Sequence, residues 1–340
     1  MLASGLNILS GFGLMLLAAV VSALSIAALM PLLRRYALAR PNARSSHTVP
    51  TPQGAGIAII AIPVAVLLFS HLTQTQEHWQ LLLAGALVLL ALTGAIDDVY
   101  PLPVVLRLLV QFSSAYLVVI ARPDQDQIFE FLPLWLEIAG LVFGLVWFIN
   151  LTNFMDGIDG ITVVQKSCVA LGVVVLLANV ASPAGSYVGP VAIALLGGLI
   201  GFIPFNKHVA SVFMGDVGSL PIGALSGWML IVVAAEGFVA AALLLPMYYI
   251  ADATVTLYRR WKRGEKLHEA HRLHFYQLAV QRGFDVPEVT NRILGLNVTL
   301  GLLALLSVEI ASPTVDVAVV IAGAILTAAL MRHFDRGRNV

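Results

Sequence analysis

Charge is what this sequence has least of: only 11% of its 340 residues are Asp, Glu, Lys or Arg. Soluble domains carry about 25%, so a large water-soluble core is excluded. With 59% hydrophobic residues and a mean hydropathy of +0.91, a polytopic membrane protein is expected. Neither sign of charge is in excess, with 19 basic against 19 acidic residues, so net charge identifies no partner. One cysteine, Cys168, excludes an intrachain disulfide, and its apolar surroundings predict a buried, inert thiol. The N-terminus lacks a basic n-region and a small-residue cleavage site, so residues 8–33 read as a retained first span. There is no internal repeat, and the apolar runs are nearly free of charge. Both facts weigh against a secondary transporter.

What is present is a series of apolar runs long enough to cross a bilayer core of about 30 Å. They fall at 8–33, 55–72, 79–96, 104–121, 134–150, 160–180, 186–204, 218–235, 237–257, 293–311 and 314–332. The expected fold is therefore an all-α, polytopic integral membrane protein with about 11 transmembrane helices, ten to twelve given the nearly continuous pair at 218–257. It reads as a single transmembrane domain over 1–340.

The basic residues set the orientation. On eleven spans, Arg122 falls on one face and all the other Lys and Arg residues on the opposite one, which predicts an outside N-terminus and a cytoplasmic C-terminus. The polar clusters obey the same parity. Segments 41–56, 97–103, 150–160, 205–219 and 259–282 all follow odd-numbered spans, so one composite site is expected at the inner membrane surface.

Each cluster has its own chemistry. In HTVPTPQGAG (47–56) an ordinary re-entry turn competes with an anion cradle, in which Gly54 and Gly56 bring backbone N–H groups close and His47 or Arg44 adds charge. Asp97 and Asp98, adjacent at the C-terminal end of a span where the helix dipole disfavours them, point to a divalent cation or a proton in transit. In NLTNFMDGIDG (150–160), Asn150, Asn153, Asp156 and Asp159 recur every three residues. On a helix they would line one wall of a cavity. In FNKHVASVFMGDVGS (205–219), Asp216 at a helix N-terminus suits a metal–phosphate pair, with exposed amides facing phosphate; the competing reading is a plain N-cap, which Ser219 supplies without Asp216. In HEAHRLHFYQ (268–277), His268, His271 and His274 recur with Arg272 among them. Diphosphate contact is preferred there over zinc, because no cysteine is near and the other clusters offer hard oxygens. Asp252 is isolated, near the inner end of the ninth span, at the margin of the same cavity.

Taken in order, PTPQGAG, DD, NxxNxxDGxDG, FNxxxASVFMGDVGS and the His/Arg loop resemble the polyprenyl-phosphate N-acetylhexosamine-1-phosphate transferases, a superfamily that includes the phospho-N-acetylmuramoyl-pentapeptide transferases. The resemblance runs from about residue 40 to 280. It implies a membrane enzyme that joins a UDP-activated sugar phosphate to undecaprenyl phosphate, with release of UMP, at the cytoplasmic face of a bacterial inner membrane. By the same resemblance Asp216 looks like the principal Mg²⁺ ligand (Mn²⁺ as a substitute), with Asn153 as its partner. Phe213 resembles a uracil-stacking residue, and Asn206, Asp156 and Asp159 resemble residues that contact the nucleoside or shape its pocket. Asp97 or Asp98 resembles the group that deprotonates or positions the lipid phosphate, while His47, His271, Arg272 and His274 complete the substrate contacts. The implied partners are a UDP-N-acetylhexosamine, undecaprenyl phosphate and the bilayer; a nucleic acid is not among them, and a homodimer is left open.

The muramoyl-pentapeptide enzymes carry adjacent histidines in the last loop and a lysine before the first PT. Here that loop is HEAHRLHFYQ, and His47 stands near the lysine's place. This favours a transferase that initiates an O-antigen or other surface glycan from UDP-GlcNAc or a deoxy relative such as UDP-FucNAc or UDP-QuiNAc. The peptidoglycan reaction is the alternative.

Overall fold

The computed structural model describes residues 8–39, 50–73, 78–122, 127–180, 182–266 and 271–338. His47 and His268 lie outside the described residues. The chain forms helices α1 (Ile8–Tyr36), α2 (Gly56–Thr73), α3 (Trp79–Val99), α4 (Val104–Ile120), α5 (Leu134–Phe154), α6 (Ile161–Asn179), α7 (Gly185–Asn206), α8 (Asp216–Ala235), α9 (Val239–Leu244), α10 (Met247–Lys262), α11 (Phe275–Gln281), α12 (Val286–Ile310) and α13 (Pro313–Arg336). A two-residue antiparallel pair, β1 (Leu38–Ala39) with β2 (Thr51–Pro52), closes the loop after α1. This is an all-α polytopic membrane protein. Among the described residues nine helices are long and apolar enough to span a bilayer, and α4 is a shorter apolar helix.

The expected ninth span, 237–257, is not one helix. It divides into α9 and α10 around Leu245-Pro246, because proline has no N–H for the ladder and its ring crowds the preceding turn. The tenth span starts earlier than expected, at Val286, with Pro287 in its first turn.

At the centre stands α8, with nearly every side chain buried. Trp228 donates its indole N–H to the Ala121 carbonyl at 2.8 Å and stacks on Trp79 of α3 with centroids 5.7 Å apart. Small residues set the closest helix contacts, as usual where lipid supplies little drive for association. On α7, Gly197 and Gly201 press against the Met15 and Ala19 carbonyls of α1, where an added Cβ would sit at 2.4 and 2.2 Å. Between α2 and α8, a Cβ on Gly56 would lie 2.2 Å from Gly218 Cα.

Candidate functional site

The ends of α3, α5 and α7, the start of α8 and the segment from His271 to Gln277 surround one cavity of about 1050 Å³. Its polar end holds Asp98, Asn153, Asp156, Asp216, His271 and His274. Its other end is a cleft between α4 and α5 walled by Val104, Leu108, Phe112, Phe143, Val146 and Trp147. Phe143 is 64% exposed and Val104 43%, so the cleft opens sideways onto the lipid-facing surface.

Asp98 organises the polar end. It leaves the last turn of α3 and accepts the backbone N–H groups of Asp216 (3.0 Å) and Val217 (3.2 Å), so it caps α8 from another helix. The next two amides, of Gly218 and Ser219, bond the Gly215 carbonyl. This corrects the expectation that free amides at this helix end face phosphate: all four are taken, and α8 begins at Asp216 with Gly215, not Ser219, at the cap position. A hydrogen bond to a charged group contributes about 1.5–3 kcal/mol, so two of them fix Asp216 firmly. Gln53 steadies the arrangement from below by donating to the Asp98 carbonyl at 2.8 Å.

Asp216 is held again from α5. Asn153 Nδ2 donates to its Oδ1 at 2.7 Å and to Ser219 Oγ at 2.9 Å. Asp97, beside Asp98 in sequence, is outside the cavity lining, but its carboxyl meets that of Asp216 through a side-chain hydrogen bond. It accepts from Arg107 Nη1 at 2.7 Å and from the Leu102 N–H. The acidic pair is thus one capping carboxylate and one that bridges Arg107 and Asp216.

The expected four-residue stack on α5 does not form. The helix ends at Phe154, so only Asn150 and Asn153 are on it, and Asp156 and Asp159 lie on the loop before α6. The Asp156-Gly157 step is a turn signal strong enough to stop the helix. Asn150 spends its amide on Gln111 (2.7 Å) and the Val146 carbonyl. Asp156 is half-buried at the cavity wall, and desolvation there pushes its carboxyl up to about 6; Thr162 donates to it, and the negative charges of Asp216 and Asp159 raise it further. Asp159 turns to His208 Nδ1 at 2.8 Å and the Ala210 N–H at 3.1 Å. Asn206 accepts the Gly160 N–H and donates to the Val212 carbonyl, so it joins the two loops. Both line the cavity while shaping it.

Phe213 lines the cavity next to Gln53, its backbone paired with Pro52, Gly54 and Ala55. The 50–56 turn is therefore not an anion cradle. Gly54 N–H is spent on the Phe213 carbonyl and Gly56 N–H on that of Met214, and the glycines serve close packing. His271 and His274 line the cavity. Arg272 does not; its side chain is exposed and its carbonyl accepts from Gln281.

Two charged groups have structural roles the sequence did not announce. Lys166 is fully buried, with Nζ 2.9 Å from Thr152 Oγ1, 3.1 Å from Ser226 Oγ and 4.4 Å from the Phe148 ring centre, and so ties α6 to α5 and α8. Asp252 is fully buried on α10.

The donor set fits a hard cation. Among the described residues no three His, Cys, Asp or Glu side chains form a cage able to hold a metal. Mg²⁺ ordinarily takes one or two carboxylates and completes its shell with water and phosphate. Asp216 offers a carboxylate at the wall, Asn153 keeps its carbonyl oxygen as a ligand atom, and Asp156 adds negative potential opposite.

The profile of glycosyl transferase family 4 matches residues 79–234, which contain three of the five motifs. The chain is 26% identical over 212 residues to a probable undecaprenyl-phosphate N-acetylglucosaminyl 1-phosphate transferase of Bacillus subtilis, covering 60% of this chain and 59% of that protein. It is 28% identical over 218 residues to the decaprenyl-phosphate N-acetylglucosaminephosphotransferase of Mycolicibacterium smegmatis (57% and 53%). To the phospho-N-acetylmuramoyl-pentapeptide-transferase of Kosmotoga olearia it is 32% identical over 195 residues (52% and 58%). The chain thus spans between half and three fifths of the length of these relatives. By that match and the motif order it shares, the chain is similar to the polyprenyl-phosphate N-acetylhexosamine-1-phosphate transferases over its central part.

Proposed function

We propose that this protein transfers N-acetylhexosamine-1-phosphate from a UDP-sugar to undecaprenyl phosphate and releases UMP. In this reading it initiates an O-antigen or another surface glycan at the cytoplasmic face of a bacterial inner membrane. The supporting observation is the two-ended cavity, with a carboxylate-rich pole joined to an apolar cleft that opens onto lipid. A water-soluble anionic donor and a lipid-borne acceptor meet only in a site of this form.

In the transfer, an oxygen of the lipid phosphate attacks the sugar-bearing phosphorus of the donor. The bond to the UMP phosphate breaks, and UMP leaves with the electron pair. Such a step needs positioning and charge neutralisation more than a protein nucleophile. The α4–α5 cleft orients the prenyl chain so that its phosphate arrives beside Asp98, which also takes up a proton if the phosphate carries one. Phe213 offers its ring to the uracil base, and the loop braced by Asp159 and Asn206 shapes that pocket. His271 and His274, which line the same cavity, contact the diphosphate. Asp216 and Asn153 would hold Mg²⁺, which when bound supplies neutralisation of the phosphate charge.

The test uses purified protein in detergent with undecaprenyl phosphate, Mg²⁺ and a panel of UDP-sugars, following UMP. Release with a UDP-N-acetylhexosamine supports the proposal and identifies the donor. Release only with UDP-muramoyl-pentapeptide moves the protein to peptidoglycan synthesis, and no release with any donor rejects the reaction.

A further inference from the structure

Asp252 stands apart in sequence from every motif, yet few side chains in the molecule are more heavily bonded. It is completely buried on α10. Its Oδ1 accepts from Thr256 Oγ1 (3.2 Å), the Phe275 N–H (3.0 Å) and His274 Nδ1 (3.2 Å); its Oδ2 accepts from Tyr248 OH (3.0 Å) and the Tyr276 N–H (3.2 Å). Three of these donors belong to consecutive residues, 274 to 276, where the chain turns into α11. Among the described residues, the ion pair of Asp252 is with His274.

The imidazole at the end of this set is not a core filler. His274 lines the cavity, with its ring 4.9 Å from that of His271 and stacked on Tyr276 at 5.8 Å. Tyr276 in turn donates to the Phe154 carbonyl at 3.0 Å, which pins α11 to the end of α5 just before the Asp156 loop. A carboxylate has no proton to give, so the nitrogen facing it must carry one. The other nitrogen, Nε2, is left for the cavity.

We propose that Asp252 is the positioning residue of this site, fixing the ring plane of His274 and keeping its proton on Nδ1. Neutral His274 then offers Nε2 as an acceptor to an acidic group of a bound phosphate, and protonated His274 offers Nε2–H to a phosphate oxygen while the buried Asp252 charge balances the ring. The role in turnover rests on the transferase reading; the tautomer does not. A carboxylate behind a catalytic imidazole acts in this way in hydrolase triads, where the amide variant keeps the fold and loses rate through the wrong tautomer.

The first measurement is ¹⁵N NMR of histidine-labelled protein at about pH 8.5, well above the ordinary histidine range, with the His274 signal assigned by its loss in His274→Gln. A proton on Nδ1, in the neutral or the doubly protonated ring, supports the proposal; an Nε2–H tautomer overturns it, whether or not the protein shows activity. The second is a double-mutant cycle on UMP release. Asp252→Asn is expected to lower kcat at least tenfold with little change in KM for the UDP-sugar, and to have no further effect in His274→Gln. Effects that multiply instead would make Asp252 a purely structural anchor and end the proposal. If Asp252→Asn does not fold, the wild-type tautomer alone decides.

Discussion

A single methyl group on α3 should disable the site without touching any polar side chain. Gly94 faces the first turn of α8, and a Cβ built there would lie 2.3 Å from both the carbonyl carbon and oxygen of Asp216 and 2.5 Å from Val217 N. These are backbone atoms, which no side-chain rotation can move. Ordinary contact begins near 3.4 Å, so α3 and α8 must part by roughly an ångström to accept Gly94→Ala, a strain of about 1–3 kcal/mol for overpacking. That displacement carries Val217 N, already 3.2 Å from Asp98, beyond hydrogen-bonding reach. Misplacement of a reacting group by about 1 Å costs on the order of 100-fold in rate. Gly85, on the same helix with nothing within 4 Å of its virtual Cβ, is the control. Gly85→Ala should keep the wild-type rate and thermal midpoint, whereas Gly94→Ala should lose about two orders of magnitude in UMP release and several degrees in the midpoint. A wild-type rate from Gly94→Ala, or an equal loss from Gly85→Ala, would refute the reasoning.

Asn153→Leu removes the hydrogen bond that steers the Asp216 carboxylate, and the one to Ser219 beside it, and should cut turnover at least tenfold while the protein still purifies as a folded species; an unchanged kcat at any Mg²⁺ concentration would count against the metal assignment. Excess EDTA should abolish UMP release, with Mg²⁺ or Mn²⁺ restoring it, and full activity in EDTA would remove the cation from the proposal. Asp156 has its carboxyl raised from 3.8 to about 6, chiefly by desolvation. Its contribution to stability is therefore complete below about pH 4 and is lost as pH rises through 6, because charging it in place is unfavourable. Asp156→Asn should raise the thermal midpoint relative to wild type at pH 8, with the gap closing at pH 4, and a pH-independent gap would sink this account. In the same pH window wild-type turnover should fall with acidity as the cavity loses this negative charge.

Most of the architecture was legible because hydropathy and length dictate where a chain can cross a bilayer. The break in the ninth span was missed, because its hydropathy runs on unbroken past Pro246 and only the proline marks where the helix must stop. The site was legible at the level of which segments meet, and less so at the level of what each residue does there. Asp98 and Asp216 are 118 residues apart in sequence, and no local pattern says that one caps the helix of the other. The glycines of 54–56 invite the same misreading. Gly56 is small because Gly218 lies against it, a pairing visible only once α2 and α8 have met. In NLTNFMDGIDG, the three-residue spacing suggested a helix face, but the DG step ended the helix first. Lys166 could be placed on α6 but not inside the bundle, since a buried ammonium bound only by hydroxyls and rings has no sequence signature.

The capping of α8 by Asp98 also bears on how the protein is made. A ribosome delivers α3 to the membrane long before α8, so through most of synthesis Asp98 has no amides to receive and Asp216 does not yet exist. The carboxylate-rich pole is complete only once the central helix has joined α3, and α10 and α11 must still follow to bring the histidines. A nascent or truncated chain ending before α8 therefore lacks both Asp216 and the amides that Asp98 receives.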